Sequence, residues 1–168
     1  MPKKYKRYFL KTKEAKSLLR KASEKLKVDL KQIFDVKVKI EFVKTDFAEI
    51  LVINGKALLF KVRENIFPTL LFNEIVPLTP KVVVDMGAVP HICNGANIMA
   101  PGIVDFEGLF QKDDFVFVVD EKHGKPIAIG KAVYDIETAR ETKQGVVIKN
   151  IHFIGDRVWN FIKTLENR

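Results

Sequence analysis

The sequence predicts an α+β protein built in two units, and three observations carry that expectation. A stripe of apolar residues at helical spacing opens the chain. An alternating stretch and an Asn-Gly hairpin follow it. Beyond a proline-punctuated boundary near residue 78, short apolar runs separated by turn residues point to a small, partly open β-barrel. The 168 residues suffice for one ordinary domain or two small ones, and we divide them as 1–78 and 79–168.

In the first unit, Ala15, Leu18, Leu19, Ala22 and Leu26 recur at the helical period. Thr12 stands at the expected N-cap, with Glu14 in the first turn. Lys13, Lys16, Arg20, Lys21, Lys25 and Lys27 surround the stripe, so the helix should bury its leucines and present cations outward. A short helical turn is expected over Asp29–Phe34. Asp35–Val43 alternates, with Val36, Val38, Ile40 and Phe42 on one face and Lys37, Lys39 and Glu41 on the other. Ala48–Ile53 and Lys56–Val62 are strands joined by Asn54-Gly55, the strongest short hairpin signal. Phe67–Phe72 reads as a short helix with Pro68 at its first position. The linker that follows holds Ile75, Val76 and Leu78, so the units should pack together and not swing freely.

In the second unit, Val82–Val84 is a covered strand that Gly87 ends. Ala88–Asn94 has room for about two helical turns. Asn94-Gly95 stops them, and Pro101-Gly102 marks a second turn. Phe106–Asp114 reads as a polar loop, and Phe115–Val119 as a strand buried on both faces. Pro126–Tyr134 is the next strand, in which Gly130 marks a bulge or a close approach. Ile136–Lys143 is helical, Gly145–Phe153 is a strand, and a closing segment holds Trp159 and Phe161.

The net charge of +8 is unevenly placed. Residues 1–44 carry 15 Lys/Arg against 5 Asp/Glu, whereas 45–168 carry 14 against 16. Such asymmetry fits a nucleic-acid partner, a membrane surface, or simply the solvated lysine face of a heat-adapted protein. Tyr5, Tyr8 and Phe9 lie among the N-terminal cations, where they either stack on bases or begin the core. No apolar run reaches the length of a membrane span, and MPKKYKRYFLK lacks an apolar signal core. With the lone Cys93, which has no disulfide partner, this indicates a cytoplasmic protein.

The residue types of common active sites do not assemble. His91, His123 and His152 are widely separated, His91-Ile92-Cys93 lacks the second pair of a zinc site, and Ser17 and Ser23 both fall on the cationic helix. There is no glycine-rich phosphate loop. Asp85 is expected to hydrogen-bond the turn that follows it. No cofactor or metal is expected.

The run Gly95-Ala96-Asn97-Ile98-Met99-Ala100-Pro101-Gly102, preceded by Val84-Asp85-Met86-Gly87-Ala88, resembles the core of the PUA domain, an RNA-binding module. The similarity is greatest to the malignant T-cell-amplified-sequence and ligatin family of translation factors and points to an archaeal member. It takes in Gly145–His152 and covers about half the chain. The resemblance implies a pre-PUA α+β domain before a PUA-like, partly open mixed β-barrel with short helices. It also implies RNA lying against the small helix and the glycine-rich segment, which nominates Met86, Gly87, Ala88, His91, Asn94, Gly95, Ala96, Asn97, Ile98 and Met99.

The chemistry of those residues agrees. Small residues admit a backbone, turn amides bind phosphate, Asn reads base edges, and Met offers a soft apolar contact. Lys131, Lys149 and Arg157 are candidates for neutralising phosphates. The family further implies non-catalytic work on the small ribosomal subunit, in initiation, reinitiation or recycling. There the PUA domain meets the acceptor end of tRNA, beside an initiation-factor-like protein in trans, and the basic first unit is expected to grip rRNA or a protein. The alternatives are an RNA-binding accessory subunit of a modification enzyme, such as a pseudouridine synthase or tRNA-guanine transglycosylase, and a protein-interaction module.

Overall fold

Two sheets organise this computed structural model, which describes residues 5–34 and 37–166. The first sheet is built from β1 (Lys6–Phe9), then, after helices α1 (Thr12–Leu26) and α2 (Leu30–Ile33), from β2 (Ile40–Lys44), β3 (Glu49–Ile53), β4 (Lys56–Val62) and β5 (Asn65–Pro68). Its strands run in sequence order, every neighbouring pair antiparallel. The second sheet draws on β6 (Lys81–Val84), then, past α3 (Val89–Ile92), on β7 (Ile98–Met99), β8 (Ile103–Glu107), β9 (Phe115–Asp120) and β10 (Pro126–Ala132). Helix α4 (Ile136–Glu141), strand β11 (Val146–Phe153) and helix α5 (Arg157–Glu166) close the chain. The spatial order is β7-β11-β10-β9-β6-β8, with β6 and β9 parallel and the other pairs antiparallel. This curled mixed sheet is the expected half-barrel.

Alternation along β9 explains how the two layers join. Phe115, Phe117 and Val119 point into a core shared with the first sheet, while Val116 and Val118 point into the curl of the second. Each such side chain contributes about 1.5–3 kcal/mol of burial, so β9 stabilises both layers at once. Val158, Phe161 and Ile162 of α5 also enter the first-sheet core, so the closing segment returns across the molecule. His152 belongs to the same junction. Its side chain is fully enclosed. Its Nε2 accepts from the Leu70 N–H at 3.2 Å, and its Nδ1–H donates to the Asp156 carboxylate at 2.9 Å. That pattern specifies the Nδ1–H tautomer. Asp156 also accepts from the Phe153 and Trp159 amides, capping α5.

The Asn54-Gly55 hairpin forms as expected, with positive φ at both residues (50° and 86°), the type I′ signature. Several other expectations need correction. Phe67–Phe72 is not a helix. Asn65–Pro68 forms the sheet's edge strand, where the missing N–H of Pro68 leaves no ladder bond unmade, and the helical turn falls later, at Asn73–Leu78. Ile103–Glu107 is a strand reaching into the supposed loop 106–114. It too is an edge, largely exposed, and so carries no hydrophobic alternation. The Asp35–Val43 strand starts at Ile40, and Asp35 and Val36 lie outside the described residues. Lys6–Phe9, read only as a cationic aromatic segment, is an edge strand on β2. Helix α1 begins at Thr12 itself, with Glu14 accepting from the Lys11 N–H.

Candidate nucleic-acid interface

The small helix and its turn are held by a dense set of local hydrogen bonds. Asp85 Oδ1 accepts from the Ala88 N–H at 2.8 Å, and the Asp85 N–H donates to Gly102 O at 2.9 Å. Asp85 therefore plays the turn-holding part expected of it. Helix α3 is a single turn, shorter than the reading of 88–94, because Gly95 (φ +98°) reverses the chain at once. The Ala96 N–H reaches His91 O and the Gly95 N–H reaches Ile92 O, both at 3.0 Å. This is the Schellman pattern that ends helices on a left-handed glycine. A methyl group at Gly102 would lie 3.1 Å from Ala88 Cβ, so the two glycine-bearing turns pack directly on one another.

A residue absent from the sequence-based candidates fastens this loop to the sheet. Asn150, half buried on β11, donates through Nδ2 to Ile92 O (3.0 Å) and Ala96 O (2.9 Å). Its backbone N–H donates to Asn97 Oδ1 at 3.0 Å. Asn150 lies opposite Gly130, at the irregularity in β10 between Ile129 and Gly130. A Cβ on Gly130 would meet Ile148 Cγ2 at 2.1 Å, so both halves of the expectation for Gly130, bulge and close approach, hold. Gly130 in a strand pattern was the available signal that the candidate turn is braced here.

The structure gathers most of the candidates and separates three. Gly87, His91, Asn94, Gly95, Ala96 and Asn97 are exposed along one loop, with Ala88 half buried. Met86 and Met99 are 39% and 46% exposed, large for apolar side chains. Ile98 is the exception within the loop. Its side chain is 1% exposed and packs in the curl, so it anchors the segment and is withdrawn as a contact. Lys131 and Lys149 stand opposite each other and beside Phe115, in the row that faces the first sheet. Val116, Gly130 and Asn150 form the adjacent row, under the α3 turn. The period of two thus puts both lysines on the sheet face away from that turn. Arg157 is engaged by the first unit: its guanidinium lies 3.5 Å from Asp46 and 4.7 Å from the Phe47 ring centre.

Burial pushes the Cys93 thiol pKa up, only partly countered by Lys125, so Cys93 is a packing residue and a poor nucleophile. Among the described residues no group of three or more His, Cys, Asp or Glu side chains could hold a metal. No helix among them is long and apolar enough to cross a membrane. What the loop presents is a shallow surface of small residues, amides, asparagines and two methionines, suited to binding and without a nucleophile–base pair.

Residues 80–154 match the PUA domain family, and residues 6–73 match a domain of unknown function, DUF1947. Malignant T-cell-amplified sequence 1 of Rattus norvegicus is 31% identical over 137 residues, 78% of this chain and 75% of that protein. The chain belongs to the PUA-domain family that contains the malignant T-cell-amplified sequence proteins. A second member, translation machinery-associated protein 20 of Eremothecium gossypii, is 30% identical over 155 residues, 87% of this chain and 85% of that protein. The uncharacterized protein MJ1432 of the archaeon Methanocaldococcus jannaschii is 40% identical over 157 residues, 93% and 96% of the two chains. The crystal structure of the hypothetical protein PH0734.1 from Pyrococcus horikoshii OT3 superposes with a TM-score of 0.79 at 34% identity, covering 94% of this chain and 99% of that one. The chain is therefore an RNA-binding PUA-domain protein whose relatives are associated with the translation machinery.

Proposed function

We propose that this protein is a cytoplasmic, non-catalytic translation factor, in which residues 79–168 hold the acceptor end of a tRNA or an rRNA element on the small ribosomal subunit. Residues 1–78 form the basic unit beside it, and an initiation-factor-like protein works with it in trans. The observation that carries the reading is the α3–Gly95–Met99 loop. Apart from the half-buried Val89 and the buried anchors Ile92 and Ile98, its side chains are small or exposed, yet hydrogen bonds to Asn150 and Asp85 fix its backbone. A preorganised surface of this kind loses little entropy on binding. The names of the relatives supply the translational context.

Filter binding of deacylated tRNA at low salt, repeated with the transcript trimmed at its 3′ end, tests the site. Met99→Glu puts a negative charge on an exposed side chain of the proposed RNA surface. It should weaken binding of intact tRNA about tenfold or more and leave the melting temperature unchanged. Failure to retain either tRNA or small-subunit rRNA would end the proposal. On a sucrose gradient the protein should travel with small subunits and leave that fraction after RNase. Co-purification with an RNA-modifying enzyme in place of ribosomes would also overturn the reading.

A further inference from the structure

The first unit carries a second surface that the α3 loop does not explain. Between the flank of α1 and the β1–β2 edge lies an open groove of about 430 Å³. Leu10, Leu18 and Phe42 line it with Ser17, two cations, Lys13 and Lys21, and one carboxylate, Glu14. Tyr8 extends it: its ring lies 5.4 Å from that of Phe42, tilted 33°, and the residue is 51% exposed.

Strand register explains the grouping. Tyr8 is paired with Phe42 and Lys6 with Lys44, so all four side chains share one face of the sheet. Arg7 and Glu41 occupy the opposite face and neutralise each other in an ion pair of 2.6 Å.

The charges on the groove side are not balanced in this way. Lys6, Lys13, Lys21 and Lys44 have no ion pair among the described residues. One carboxylate, Glu14, lines the groove and a second, Glu49, stands near. Glu14 accepts from the Lys11 N–H, and Glu49 lies opposite Lys44 on β3. Like charges set directly across a strand pair, as Lys6 and Lys44 are, weaken the sheet unless something offsets them.

We propose that this groove binds unpaired nucleotides of an RNA, with bases stacked on the Tyr8–Phe42 pair and phosphates held by Lys6, Lys13, Lys21 and Lys44. Rings flanked by cations are the elements of a single-strand site. Bases supply planar groups in series at the spacing of a backbone that carries one charge per nucleotide. An acidic peptide supplies the charge but few planar groups, so the exposed Tyr8 ring set against the half-buried Phe42 favours RNA. The site is independent of the α3 loop and lies on the other sheet.

The test uses the full chain and a fluorescein-labelled oligouridylate decamer, which has no stem or acceptor end, read by anisotropy across a salt series. Tyr8→Ala should weaken binding about fivefold or more, and Tyr8→Phe should restore most of it. Lys13→Glu with Lys21→Glu should weaken binding further and flatten the logarithmic salt dependence by about 1.4, since each single-strand phosphate contact contributes about 0.7. Met99→Glu should leave decamer binding unchanged. Equal decamer binding by the wild type, Tyr8→Ala and the double lysine variant would overturn the proposal. So would loss of an oligoglutamate-tyrosine peptide, with decamer binding intact, in the lysine variant.

Discussion

Asn150 provides the sharpest test of how the loop is held. Replacing it with Ala removes two donors, one from Ile92 O and one from Ala96 O. The Ile92 bond is half buried and is worth about 1–1.5 kcal/mol. The Ala96 carbonyl is exposed and can turn to water, so its loss costs about 0.5–1 kcal/mol. Asn150 Oδ1 is buried without a partner among the described residues, and its removal offsets a fraction of that cost. The net loss is about 1–2 kcal/mol, which in a chain of this size lowers the melting temperature by about 2–8 °C. The comparison that isolates the hydrogen bonds is Asn150→Asp, nearly the same shape. It would place carboxylate oxygens against two carbonyl oxygens and should destabilise more than Ala. Thermal melts by circular dichroism measure both, and hydrogen exchange at the Gly95 and Ala96 amides should quicken in each. A melting temperature within about 1 °C of wild type for both variants would refute the reasoning.

Three further predictions follow from the same geometry. Gly130→Ala drives a methyl group into Ile148 Cγ2 and should destabilise by about 1–3 kcal/mol. Pairing it with Ile148→Leu, which lacks that branch, should recover part of the loss in a double-mutant cycle, whereas simple additivity would contradict the clash. His152→Phe keeps most of the ring volume but strands the Leu70 N–H, so unfolding by denaturant should show a loss of about 1–3 kcal/mol. Asp120 concerns acid. Burial pushes its pKa up, but the amides of His123 and Lys125 and the nearby His123 ring outweigh this and hold it below the usual carboxylate value. A depressed folded-state pKa stabilises above the unfolded value, near 3.9, and that stability is lost as pH falls through the folded one. The melting-temperature gap between wild type and Asp120→Asn should therefore be present at about pH 7 and close towards about pH 2; a gap constant with pH would contradict this sign.

The buried strand Phe115–Asp120, the Asn54-Gly55 hairpin, the amphipathic α1 and the bulge at Gly130 were all legible from residue types, because each is decided by local patterning or backbone freedom. The edge strands were not. Lys6–Phe9 and Ile103–Glu107 lack alternation because their burial comes from one neighbouring strand only. Phe67-Pro68, the end of the strand Asn65–Pro68, reads as a helix start because Pro is at home in both settings.

For the candidate interface, sequence alone established a glycine-bracketed turn after a covered strand and a lone cysteine with no disulfide partner. It also established a basic first quarter with aromatics among its cations. Tertiary structure decided which of those residues meet. Strand register turned Lys131 and Lys149 away from the loop, burial removed Ile98 from it, and Asn150, more than 50 positions along the chain, fastened it. Local rules act over a few bonds, whereas the facing of a side chain across a sheet depends on a pairing partner that only the folded chain brings near.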